Sequence, residues 1–158
     1  MADIKSKYGS NGQALTCTVA SLANASMRES TAIDNTTNLF LNALVTAKIK
    51  LNSAGVSATG YINIHAYATT DGGTTYSAGA TGSDAAFSGE KTNLVLVASL
   101  TANANSMTAT AVFDIASAFG GVMPDHWGLV VENQSGAALD STGSNHFLKY
   151  QGTLGQTV

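Results

Sequence analysis

The stretch Leu39-Phe40-Leu41-Asn42-Ala43-Leu44-Val45-Thr46-Ala47-Lys48-Ile49-Lys50-Leu51 decides the fold class. Its odd positions are all apolar: Leu39, Leu41, Ala43, Val45, Ala47, Ile49 and Leu51. The even positions drift to Thr46, Lys48 and Lys50. Side chains of a strand point alternately to opposite faces, so this reads as one long strand with one buried face. A helix would scatter the same residues around its circumference.

Working outward, the next segment repeats the pattern. Ile62, Ile64, Ala66 and Ala68 share one face, and Tyr61, Asn63, His65 and Tyr67 share the other. Asp71-Gly72-Gly73 then gives a turn, because glycine reaches positive φ at no steric cost. Upstream, Leu15-Thr16-Cys17-Thr18-Val19 alternates as a strand. Downstream, the nearly continuous apolar run from Asn93 to Leu100 suits a central strand. Met107 to Ile115, Trp127 to Glu132 and His146 to Gln151 complete seven strands, with a short eighth near Thr74 to Ser77. Ser77 to Lys91 is rich in Gly, Ser and Ala and reads as a long exposed loop. Ser117 to Asp125 holds Pro124, the only proline, and reads as a loop with one helical turn. The expected fold is all-β: a single-domain antiparallel β-sandwich, with jelly-roll and immunoglobulin-like topologies both open. Residues 1–14 lack periodicity and read as an extended N-terminal arm, or as a frayed terminus, ahead of a sandwich domain at 15–158.

A chain of 158 residues fits one domain. Charged residues make up 11% of it, less than half the usual share of about 25%. Soluble monomers use charge to avoid sticking to one another, so this surface suits a subunit packed beside copies of itself. Seven Lys and Arg face ten Asp and Glu and form no basic stripe, which argues against nucleic-acid binding. The N-terminus lacks the apolar core of a signal peptide, and the run Leu94 to Ala98 is too short to span a bilayer. The expectation is a protein made in a cytoplasm that stays soluble until it assembles.

Catalytic signals are absent from the sequence. No Gly-x-Ser-x-Gly, no P-loop and no Gly-x-Gly-x-x-Gly opening a helix occurs. Cys17 is the only cysteine and reads as a buried, inert thiol. Asp71 and Asp84 are too few for a calcium loop, and nothing draws His65, His126 and His146 together into a zinc site. No catalytic, cofactor or metal residue is therefore assigned. The face of Tyr61, Asn63, His65 and Tyr67 carries amphipathic groups that recur at interfaces. It fits a partner interface, a second buried sheet face or ordinary cross-strand pairing, or a glycan platform. A sugar-binding groove built from Tyr61, Tyr67, Tyr76 and Trp127 is one rival reading, and a hydrolase joining a histidine to a carboxylate and a serine is another.

Three longer segments add a family reading. They are Met1 to Gly9, Ala58 to Tyr67 continuing through Asp71-Gly72-Gly73, and Phe119 to Gly128 with Val131-Glu132-Asn133. Together they resemble a group of small structural proteins of tailed bacteriophages, over most of the chain. These are strand and turn patterns, so no site residues carry over. The resemblance implies a non-enzymatic virion protein, made in the host cytoplasm, that binds the outer capsid surface as a decoration or cement protein. A tail, collar or fibre-base position stays open. The implied partners are the major capsid protein and copies of the chain itself, with a host-surface glycan as the remaining class. The expected interface residues are Ile4, Tyr8 and Leu15 on the arm and its junction, where the arm clasps a neighbour, and Tyr61, His65 and Tyr67 on the polar strand face.

Overall fold

Each alternating segment has an apolar face to bury, and two stacked sheets bury them against one another. The computed structural model describes residues 4–157; residues 1–3 of the expected arm and residue 158 lie outside the described residues. Its strands in chain order are β1 (Ile4–Tyr8), β2 (Gln13–Ala14), β3 (Met27–Glu29), β4 (Ile33–Asp34), β5 (Asn42–Lys50), β6 (Tyr61–Thr69), β7 (Ala85–Ala86), β8 (Val95–Thr101), β9 (Thr108–Asp114), β10 (His126–Gln134) and β11 (Phe147–Thr157). One sheet runs β1-β11-β5-β9, with β2 also on β11; the other runs β7-β3-β10-β6-β8, with β4 also on β10. Every pairing is antiparallel. With the two-residue strands β2, β4 and β7 set aside, the order β1-β11-β5-β9 over β3-β10-β6-β8 is that of a jelly roll, which resolves the two open topologies.

The core lies between the sheets. Ala43, Val45, Ala47 and Ile49 of β5 face Ile62, Ile64, Trp127, Leu129 and Val131 of the other sheet. Trp127 meets Tyr150 edge-on across the gap, with ring centroids 5.5 Å apart. Tyr150 in turn packs edge-on against Phe40. The Phe40 ring lies where a Cβ on Gly152 would sit, 2.2 Å from its Cδ1, so only glycine fits there.

Several expectations are corrected. Leu15 to Val19 forms no strand, because its backbone serves both sheets: Leu15 N donates to Leu148 O, and Thr16 O accepts from Thr31 N. Leu15 and Val19 are buried all the same. The apolar run ending at Leu100 is β8, an edge strand and not a central one. The central strand is β10, buried on both faces from Trp127 to Asn133. Strand β5 starts at Asn42 and not at Leu39, which sits in the left-handed conformation after a short helix α1 (Asn35–Asn38). No strand covers Thr74 to Ser77; a 3-10 turn, Ser77–Gly79, follows instead. The helical turn expected in the Pro124 loop is present, at Ala116–Phe119.

The segment between β6 and β8 is a cover and not an exposed loop. It crosses the outer face of its own sheet, pairs β7 with β3, and packs Tyr76, Ala80, Phe87 and Leu94 against Tyr67 and Val130. Tyr67 lies flat over Gly128, where a Cβ would fall 2.3 Å from its ring. Its hydroxyl donates to Ser30 O at 2.6 Å, and Tyr76 meets its ring edge-on at 5.4 Å.

Candidate interaction surface

The two outer faces of the sandwich differ in what they do with charge. Under the cover, the Glu132 carboxylate is almost fully enclosed. It accepts from Lys91 Nζ at 2.5 Å, Gln134 Nε2 at 2.9 Å, and His65 Nε2 and Asn63 Nδ2 at 3.1 Å each. Burial alone would raise this carboxyl. The hydrogen bonds from Lys91, Gln134, His65 and Asn63 outweigh burial and hold it down to about 2. Along the edge of the same sheet, Asp84 accepts from Arg28 Nε at 2.6 Å and from Thr18 at its N and Oγ1. Burial works against that carboxylate too, but the Arg28 and Thr18 bonds lower it. Glu29 is buried with Thr81 N and Oγ1 as donors, at 2.8 and 2.9 Å. Burial, with Asp84 next, pushes the Cys17 thiol far above its ordinary range, which keeps it unreactive.

Among the described residues, no segment covers the outer face of the β1-β11-β5-β9 sheet. Strand register puts Ile4 and Tyr8 of β1, Leu44 of β5 and Val112 of β9 on this side. Ile4 is 78% exposed, Tyr8 63% and Val112 66%. Beyond Thr153, β11 has only β1 as partner among the described residues, so residues 4–7 and 154–157 form a two-stranded ribbon that overhangs the sandwich, with the Tyr8–Thr153 pair as its root. Such a ribbon is marginal without something to pack on. Leu39 and Leu41 lead into β5 beside it, and the open position above Gly155 lies 3.7 Å from Leu41 Cδ1 and 3.8 Å from Ile4 Cγ2. Six of the ten exposed large apolar side chains among the described residues therefore belong to this sheet, its ribbon or the entry to β5. So do five of the seven cations: Lys5, Lys7, Lys48, Lys50 and Lys149. None of the five is in an ion pair among the described residues, whereas Arg28 and Lys91 on the covered sheet both are.

A cleft of about 770 Å³ opens at the end of the sandwich from which the ribbon leaves. Its apolar wall comes from the Pro124 loop, with Phe119, Val122, Met123 and Pro124. Asp71 and Asp125 stand at its rim. Asp71 folds its own turn by accepting from Thr69 Oγ1, Thr74 N and Thr75 N, and the bonds from Thr69 and Thr75 pull it down to about 2. Asp125 accepts from Gly72 N at 3.0 Å, tying the two loops together. His126 lies between Asp34 and Asp125, at 3.7 and 3.6 Å. The Tyr76 hydroxyl is raised by its burial and then by Asp125, Asp71 and Asp34.

The expected interface residues divide. Ile4 and Tyr8 are exposed on the ribbon, and Tyr61 is partly exposed. Leu15, His65 and Tyr67 are buried, which removes them from any docking surface. The face of His65 and Tyr67 is instead a second buried face, closed by the cover. Tyr67 and Trp127 are both fully buried and on opposite faces of their sheet, so no groove of Tyr61, Tyr67, Tyr76 and Trp127 exists. The expected arm is extended, but its described part is stitched to β11 as β1 and β2. Asp71 and Asp84 bind different partners, and His146 accepts from Lys50 N and bonds Asp140 O, apart from the other histidines. No group of three or more His, Cys, Asp or Glu that could hold a metal occurs among the described residues. No helix among the described residues is long and apolar enough to cross a membrane. Leu44, Val112 and the cleft went unread in the sequence, and Leu41, expected on the buried face, is exposed. The clue to Leu44 and Val112 was an apolar residue on the polar phase of each strand.

No protein-family model matches the chain, and no curated protein is significantly similar to it.

Proposed function

We propose that the chain is a non-enzymatic structural component of a tailed-phage virion, binding the outer capsid surface as a decoration or cement protein beside copies of itself. One observation carries this reading. The sheet without a cover gathers six of the ten exposed large apolar side chains and the five lysines outside any ion pair among the described residues, while the carboxylates buried on the other sheet are satisfied internally. An exposed set of apolar side chains interleaved with lysines that no carboxylate pairs is a surface suited to a partner. The resemblance of the opening, middle and Phe119 to Gly128 segments to phage structural proteins supplies the particle. A tail or collar position is the alternative location.

The test is cryo-EM of virions purified from the producing phage, at subnanometre resolution. Density for this sandwich repeated over the capsid lattice is expected. A single ring at the tail or collar moves the location and keeps the class. Absence from the particle overturns the proposal. A chain lacking residues 2–12 should fold and show reduced occupancy on particles, because it loses Ile4, Tyr8, Lys5 and Lys7 together.

A further inference from the structure

The ribbon and the cleft lie at the same end of the sandwich. Asn42 at the start of β5 pairs with Thr153, where the ribbon departs, and its Oδ1 accepts from Ala116 N, where the chain enters the cleft loop. Their chemistries are opposite. The ribbon presents Ile4 and Tyr8 on one face and Lys5 and Lys7 on the other, with all four exposed. The cleft presents Val122, 70% exposed, over an apolar wall, with Asp71 and Asp125 at the rim and Asp34 close behind. No lysine or arginine lines it.

We infer that two copies of this chain dock end to end about a two-fold axis, each seating its β1–β11 ribbon in the acidic cleft of the other. A two-fold contact is self-complementary, so each surface must meet its opposite on the second copy. Having both on one end of one molecule satisfies that requirement. Ile4 and Tyr8 cover the apolar wall, and Lys5 and Lys7 reach the carboxylates of Asp71 and Asp125. Pairing β1 with the β1 of a second copy fits less well. An antiparallel pair centred on Ser6 would set Lys5 opposite Lys7, and like charges directly opposite are destabilising. This inference rests on the reading of the chain as a self-assembling part, and it names the partner.

Sedimentation equilibrium of the full chain tests it, with three samples: wild type, Lys5→Glu/Lys7→Glu, and Val122→Lys. The wild type should dimerise, and more weakly as salt rises. Each variant alone should weaken the dimer by about tenfold or more, because each loses both contacts to like-charge repulsion. A mixture of the two variants should dimerise again. One native ribbon then meets a native cleft, and the acidic ribbon meets the lysine-bearing cleft. Circular dichroism and thermal melting confirm that both variants are folded. A wild type that stays monomeric, a dimer indifferent to both variants, or a mixture that does not re-form overturns the inference. Occupancy on particles, measured on the same samples, keeps the two proposals apart. A monomer that still decorates the shell overturns only this contact, and a dimer absent from the particle overturns only the shell-binding role.

Discussion

The two outer faces of this sandwich start from similar strands and end differently. Strand β6 puts His65 and Tyr67 on its outer side, and β5 puts Leu44, Thr46 and Lys48 on its own. The first set is closed over by the segment between β6 and β8, and its charges are tied to one another. The second is left open, with its lysines unpaired. Buried polar groups must be satisfied within the chain, so a covered face is finished before any partner arrives. An open face with exposed Val112, Tyr8 and Ile4 has no such closure among the described residues, and it is where the proposed partner would pack. Stability and association should therefore separate cleanly between the two sheets.

The largest effect on that separation should come from Glu132→Gln. It removes the charge that four donors surround and leaves Lys91 without its partner. Breaking such a pair should cost about 2–4 kcal/mol at neutral pH, with the lower end favoured because Lys91 is half exposed. The folded carboxyl lies below its ordinary value. The stability it contributes is therefore present above about pH 4.5 and is lost as pH falls toward about 2. Urea melts of wild type and variant should accordingly converge between those values. Lys91 also anchors the end of the cover, so proteolysis within 77–91 should quicken in the variant. A constant difference across that pH range would mean that the carboxylate does not hold the cover.

Tyr67→Phe should do less, about 1–2 kcal/mol, by leaving Ser30 O without its 2.6 Å donor. The ring still lies over Gly128 and against Tyr76, so cleavage of the cover should stay at the wild-type rate. A cover that opens in this variant would show that one hydroxyl, and not the packed ring, keeps it shut.

Much of this was legible in the residues where one face of a strand was buried. The alternation from Ala43 to Ile49 and from Ile62 to Ala66 marked the core faces correctly. The second buried face was one of several readings of the Tyr61, Asn63, His65 and Tyr67 phase, and the residues did not choose between them, because such amphipathic groups serve a covered polar network and an exposed interface alike. Small residues that read as loop are what let the cover fold closely upon itself. A Cβ on Gly82 would fall 2.6 Å from Tyr76, and one on Gly89 would fall 1.9 Å from Ala78 O. The spacing of Tyr76, Phe87 and Leu94 within that segment was the available signal. Strand β1 escaped notice because backbone pairing leaves little trace in five residues exposed on every side. At the site, Ile4 and Tyr8 were legible as apolar residues on a polar arm. Leu39 and Leu41 were misread as buried, since the chain joins its sheet only at Asn42 and both leucines precede it.

Leu39 gives the smallest effect and the sharpest contrast. It is 69% exposed and has φ 54°, a conformation that glycine or asparagine adopts more readily. Nothing within the chain requires an apolar side chain there. Leu39→Gly should leave the fold unchanged or raise its stability by up to about 1 kcal/mol, because relief of the left-handed strain exceeds the added chain entropy. Beneath the cover, at Tyr67 or Val130, no comparable loss of apolar surface should be neutral. If Leu39 packs against a partner, the same variant should lose dimer affinity and particle occupancy while its melting temperature holds or rises. A more stable variant that assembles as well as the wild type would make Leu39 a poor helix cap and nothing more. The open face would then shrink to the ribbon, Leu44 and Val112.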